Sequence, residues 1–141
     1  EFIKHEEPRL RLNGTPIKQL YGYEMYGDKV YTSVMPQANF PGKLGITHRW
    51  DKATKSVTLY NAKGSITFTV GSDIAKVNVV DVYGFETSVE VQTELKLDRP
   101  VSEIDGLPVI CVNDLLDITG IEYELVDGKY IDAVITQDLA E

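Results

Sequence analysis

Short segments in which apolar and polar residues alternate make up much of the sequence. The clearest lies at 65–70, where Ile66, Phe68 and Val70 occupy every second position between polar neighbours. Successive side chains of a β-strand point to opposite faces of its sheet, so this spacing predicts a strand with these three side chains in the core. A strand with one buried face is typical of an antiparallel sheet.

Turn-forming residues separate these strands and predict hairpins. Asn13-Gly14 interrupts an alternating segment at 9–17, and this dipeptide suits the positive φ angles of a tight two-residue turn. The segment 46–60 has two alternating runs around a polar centre. We therefore expect one hairpin at each of these places.

The sequence predicts two short helices. The first lies within 35–44 and is short or irregular, because Pro41 interrupts it. The second lies at 113–119, with Asn113 as the N-cap residue and Gly120 as the glycine that ends it.

The order of these elements repeats along the chain. Two segments, at about 9–70 and about 75–135, each contain a strand, a second strand, a short helix and a hairpin. Such repetition indicates that one structural unit was duplicated, and chance similarity among β-rich segments is the alternative. The predicted fold is α+β: a twisted antiparallel sheet, or sheets, with one or two short helices packed on a face, built from two diverged copies of this unit.

The expected domain covers residues 9–135. Residues 1–8 are expected to be a flexible or cloning-derived N-terminus, and 136–141 a C-terminal tail or linker. The chain begins at Glu1 and not at methionine, so we expect a processed or cloned piece of a longer exported protein. A chain of 141 residues buries enough surface to fold without a disulfide or a metal.

Charge argues against two classes of partner. The formal net charge is −8, and no run of Lys and Arg forms a basic stripe, so nucleic acid is not expected to bind. No apolar run approaches the roughly 20 residues that a membrane-spanning helix needs. Direct membrane insertion is therefore not predicted either.

Residues suited to metal binding or catalysis are scarce. A copper or zinc site needs several converging ligands, and the only histidines are His5 and His48. The single cysteine, Cys111, lies in an apolar run that predicts a buried, unreactive thiol. Glu122 and Glu124 share one face of a predicted strand, where solvation is the expected state. We predict no catalytic residue, no metal and no cofactor.

Tyrosines form the one cluster that suggests binding. Tyr21, Tyr23, Tyr26 and Tyr31 are candidate ligand-binding residues, because aromatic rings stack on sugars and anchor protein interfaces. Burial in the core is the competing interpretation. Trp50 lies in an alternating hairpin strand and is expected to pack at the edge of the core, with His48 partly exposed.

Several motifs occur in an order that resembles the copper amine oxidase N-terminal domain family. They are Leu-Asn-Gly at 12–14, Gly-Asp-Lys-Val-Tyr at 27–31, Leu-Gly-Ile at 44–46, and a Trp-Asp, polar turn, Lys-Ser-Val-Thr-Leu stretch at 50–59. The resemblance covers residues 9–135. It is weaker in the second copy, where Leu125 replaces the tryptophan.

The resemblance implies a stalk-like accessory domain of exported bacterial proteins, found beside enzymes or cell-wall-anchoring domains. The copper and quinone of the enzymes that name this family lie in another domain, so the resemblance assigns no catalytic residue here. We therefore predict a non-catalytic accessory, structural or interaction module that is extracellular or attached to the cell wall. The alternative is a carbohydrate-binding module that grips a cell-wall or plant polysaccharide through exposed tyrosines.

Overall fold

A computed structural model of the chain describes residues 9–17, 19, 22–34, 40–83 and 87–134. Both predicted tails lie outside these residues. Strands dominate the described residues, and the two helices there are short, so the expectation of a β-rich fold is confirmed. The strands in chain order are β1 (Leu10–Leu12), β2 (Thr15–Pro16), β3 (Tyr23–Tyr26), β4 (Lys29–Ser33), β5 (Thr47–Asp51), β6 (Ser56–Tyr60), β7 (Gly64–Thr69), β8 (Ile74–Tyr83), β9 (Thr87–Lys96), β10 (Ser102–Ile104), β11 (Leu107–Cys111), β12 (Glu122–Val126) and β13 (Tyr130–Val134).

The strands of the described residues form three sheets. Their orders are β5-β6-β7-β8-β9, β10-β11-β4-β3 and β12-β13-β1-β2. Neighbouring strands are antiparallel, as expected, except that β1 and β13 pair in parallel, with Leu10 opposite Ile131. The two strands are far apart in the sequence, so no hairpin turn dictates their relative direction.

The core lies where the alternation predicted it. Ile66 and Phe68 are fully buried in the strand at the centre of the five-stranded sheet. Val70 lies just beyond the end of this strand and is half-buried, because the chain there leaves the ladder and forms an isolated parallel bridge with Val101.

Two hairpin turns have the backbone that their sequences favour. Asn13 and Gly14 have φ angles of 49° and 84°, and Asp127 and Gly128 have φ angles of 54° and 64°. Two consecutive positive φ angles define the mirror-image turn that matches the twist of paired strands. This local chemistry therefore sets the register of both hairpins.

The helices differ from the prediction at their ends. Helix α1 (Phe40–Lys43) has a single turn, whereas α2 (Val112–Thr119) has eight residues and ends at Gly120 with a φ of 71°. Asn113 does not cap α2, which continues directly from β11. Its side-chain oxygen accepts the N–H of Val30 at 2.9 Å, because α2 packs beside β4.

A long hairpin, β8–β9, has no counterpart among the described residues of the first half. Alignment of the two halves places 76–82 opposite 11–17, where the chain makes a tight turn at Asn13-Gly14. Val79 occupies the position of Gly14, and the strand therefore continues through this point to Tyr83. The absence of a residue that favours positive φ explains the difference.

Candidate functional site

The β3–β4 hairpin separates its tyrosines between two faces. Glu24 lies opposite Tyr31 in the antiparallel register, and Tyr26 follows two residues after Glu24. These three side chains therefore share the outer face. Together with Arg99, which lies between β9 and β10, we call them the tyrosine clamp.

Arg99 holds the clamp together. Its guanidinium carbon lies 4.9 Å from the ring centre of Tyr26 and 4.1 Å from that of Tyr31. The two rings meet edge to face, with centres 6.1 Å apart and an angle of 86°. Arg99 also donates to both carboxylate oxygens of Glu24, at 2.7 and 3.1 Å. The planar guanidinium thus combines a bidentate ion pair with cation–π contacts.

The clamp fastens the chain segment that leads out of the five-stranded sheet. Within this segment, the N–H of Leu97 donates to the carbonyl of Asp73 at 2.7 Å, and the N–H of Val101 donates to that of Ser72 at 3.0 Å. Hydrogen bonds to Glu24 raise the pKa of Arg99, although partial burial opposes the rise. These contacts join the β3–β4 hairpin to the segment between β9 and β10, and they therefore link two of the sheets.

Cys111 lies beside the clamp and is unsuited to nucleophilic chemistry. It pairs with Tyr31 across β11 and β4 and is buried. Burial, followed by the negative charge of Asp114, raises the pKa of the thiol to about 12. The thiolate is the reactive form of cysteine, so this thiol stays protonated and inert near neutral pH.

Lys29 is also committed to structural contacts. Its ammonium lies 3.1 Å from Oδ1 of Asp114 and 3.4 Å from Oδ2 of Asp98. Burial lowers the pKa of Lys29, but the hydrogen bond and charge of Asp114 outweigh this effect and raise the pKa overall. The ammonium therefore neutralises the buried carboxylate of α2.

The predicted ligand-binding tyrosines lie in different environments. Tyr21 is outside the described residues. Tyr23 is fully buried and donates its hydroxyl to the carbonyl of Ile17, and Tyr31 is only 4% exposed. Both rings are unavailable to a ligand, because one faces the core and the other lies under Arg99. Tyr26 is 45% exposed and is the one of these rings that solvent reaches.

Trp50 and His48 are half-buried on the inner face of β5. Trp50 packs against the main core. Both residues line a small recess of about 20 Å³ together with Val34, Val57 and Leu107. This space holds about one water molecule, and so the recess is an edge of the core and not a ligand pocket.

The local sequence does not indicate which charged residues form pairs around these tyrosines and Cys111. Arg99 and Glu24 are 75 residues apart, and Lys29 and Asp114 are 85 residues apart. Each charge resembles an ordinary surface charge when read along the chain. A local motif does not mark any of them, and only the sheet pairing brings them together.

Among the described residues, no three His, Cys, Asp or Glu side chains converge as a metal site would require. The helices of this part of the chain are also too short or too polar to cross a membrane. A scan against protein-family profiles and searches of curated proteins and solved structures return no significant match.

Proposed function

We propose that this chain is a non-catalytic accessory module of a larger exported bacterial protein, located outside the cell or at the cell wall, where it spaces or attaches neighbouring parts. One observation carries the proposal. The side chains that are best suited to chemistry are engaged in structural contacts: Arg99 with Glu24 and two rings, and Lys29 with Asp114, while Cys111 is buried opposite Tyr31. A catalytic group needs access to a substrate.

The symmetry of one sheet supports descent from a duplicated unit. Strands β4 and β11 pair at the centre of the order β10-β11-β4-β3, and each is flanked by its own hairpin partner. Each central strand is followed by a helix and then by a hairpin, β5–β6 or β12–β13. This arrangement supports the two-copy unit.

The alternative of a carbohydrate-binding module that uses these tyrosines is not favoured at this site. Tyr26 is the only exposed ring of the described three, and the guanidinium of Arg99 lies over its face. A sugar that stacked on the face covered by the guanidinium would have to move Arg99, which is held in its ion pair with Glu24. The cost of leaving that partly buried pair open opposes such a displacement.

A double-mutant cycle on Arg99 and Glu24, read by urea unfolding, tests whether the cluster is structural. We expect Arg99→Ala and Glu24→Ala each to destabilise the domain by about 1–3 kcal/mol, with a coupling energy above about 0.5 kcal/mol. Turnover of amines, followed as hydrogen peroxide release, and metal content of protein prepared without added metal test the other half of the proposal.

Two outcomes would contradict this function. Stoichiometric copper or zinc with amine turnover would identify an enzyme. Variants that keep full stability but abolish attachment of the full-length exported protein would show that the clamp is a binding site and not a lock.

A further inference from the structure

The outer face of the five-stranded sheet carries a continuous array of polar side chains. The register aligns Arg49 with Thr58, Thr58 with Thr67, Thr67 with Lys76, and Lys76 with Glu94, so that one row crosses all five strands. Residues directly opposite each other in a sheet share a face. A parallel second row consists of Thr47, Tyr60, Ser65 and Asn78. We call these two rows the polar groove.

The groove is concave. Two depressions of about 480 and 490 Å³ lie along it, and they share Ser65, Thr67 and Asn78. Volumes of roughly 300–1,000 Å³ are typical of ligand sites. Both depressions open to solvent, so their shape fits an extended chain that lies across the strands better than an enclosed small molecule.

The lining of the groove supplies hydrogen bonds and one aromatic surface. The hydroxyls of Thr58 and Thr67 are 2.8 Å apart and share a hydrogen bond, and a hydroxyl can both donate and accept. Ser65 and Asn78 have no side-chain hydrogen bond with another described residue, and both line the two depressions. Tyr60 is 37% exposed. Hydroxyls and amides beside an exposed ring suit the alternating polar and apolar faces of a sugar.

The charges in the groove differ from those of the chain as a whole. Arg49 and Lys76 line it, and neither forms an ion pair with a described acidic residue. Asp51 shares their face but accepts the N–H groups of Ala53 and Thr54 in the following turn. Arg49 and Lys76 are three strand spacings apart, or ~14 Å along the row. Glu94 lies directly opposite Lys76 and lines the same depression, but the two side chains form no ion pair. The groove therefore carries two separated cations, and one carboxylate at its β9 end, on a chain of net charge −8.

We propose that the polar groove binds a polysaccharide that carries carboxylate groups, with its axis across the strands. Arg49 and Lys76 bind carboxylates, the hydroxyl and amide side chains bind sugar hydroxyls, and Tyr60 stacks on a ring. Repulsion by the remaining acidic surface is screened beyond about 8 Å at physiological salt. The proposal rests on the function given above, because it names a ligand for a module without chemistry of its own.

Affinity electrophoresis in gels that contain polygalacturonate tests the proposal, with fully methyl-esterified polygalacturonate as the matched polymer without charge. We expect the free acid to retard the protein and the ester to retard it far less. The Arg49→Gln/Lys76→Gln double variant should bind the acid about tenfold or more weakly, since it loses two charge-assisted contacts. Tyr60→Ala should weaken binding severalfold.

The Lys43→Gln/Lys52→Gln double variant is the control, because it removes the same charge from exposed sites outside the groove. Its retardation should match that of the parent. Equal loss in both double variants would show unspecific charge attraction and overturn the site. Absence of retardation by both polymers would overturn the ligand class while leaving the accessory function intact, since that function is tested by stability, metal content and amine turnover.

Discussion

Two outer sheet faces of this protein have similar ingredients and opposite arrangements. The tyrosine clamp and the polar groove each combine tyrosine, arginine and a carboxylate. In the clamp these groups are paired with one another, and Tyr31 is buried beneath Arg99. In the groove Tyr60 is exposed and Arg49 points to solvent. Residue type therefore does not distinguish the structural cluster from the proposed binding surface. The two differ in how their side chains are paired and how deeply they are buried.

The largest expected difference between the two faces concerns their tyrosines. Tyr31→Ala should lower the free energy of unfolding by about 3–5 kcal/mol, because it removes a buried ring and leaves a cavity under Arg99. Tyr60→Ala should change the free energy of unfolding by no more than about 0.5 kcal/mol. Urea unfolding of both variants measures this comparison, and equal losses would erase the distinction between the faces.

Neighbouring residues of β5 sharpen the comparison within one strand. Trp50→Ala should cost about 3 kcal/mol, at the low end for a large core residue, since the ring is only half-buried. Arg49→Ala lies on the opposite face and should cost no more than about 0.5 kcal/mol. Thermal unfolding followed by circular dichroism is the measurement. A Trp50→Ala variant as stable as the parent would place this ring outside the core.

Neutralising one carboxylate on each face should give a smaller difference. Glu24→Gln keeps the shape of the side chain but removes the charge that pairs with Arg99, so we expect a loss of about 1–2 kcal/mol. Glu94→Gln, at the end of the groove row, should be close to neutral in stability. Chemical denaturation at low and high salt checks both, and a salt-independent loss in Glu94→Gln would contradict the assignment.

Alkaline pH should lower the free energy of unfolding, beginning with the ionisation of Cys111. The pKa of Cys111 is raised from 9.0 to about 12 by burial, so the folded state holds its proton more tightly than the unfolded chain. The stability that this proton provides is complete below pH 9 and declines as pH rises, by up to about 1.4 kcal/mol per pH unit. Burial also raises the pKa of Tyr31 from its ordinary value of 10.0, so its effect follows that of Cys111 at higher pH.

The Cys111→Ala variant isolates this contribution. Its free energy of unfolding should depend less on pH between 9 and 10 than that of the parent, because the thiol of the unfolded chain is more ionised in this window than the tyrosines, whose ordinary pKa is 10.0. Unchanged pH dependence would show that another group carries the alkaline loss. Alkylation of the parent at pH 8 should be slow in the folded state for the same reason.

Local patterns in the sequence predicted the strands that have one buried face and the turns between them. Ile66 and Phe68 lie in the core because alternate side chains of a strand share one face, and the apolar face is the buried one. Asn13-Gly14 turns the chain because both residues adopt positive φ angles. The second helix was found, but its start was not. Asn113 could not be recognised as a partner of Val30 from its own neighbours.

The sequence by itself determined the β-rich class, the inert cysteine and the inward side of Trp50, because each depends on a residue and its immediate neighbours. Tertiary structure decided which tyrosines are exposed, the parallel pairing of β1 with β13, and both polar arrays. The clamp unites residues 75 positions apart, and the groove requires five strands in one register. Such contacts form only when the strands pair, since the spacing of residues along the chain does not show which distant charged side chain will become a neighbour.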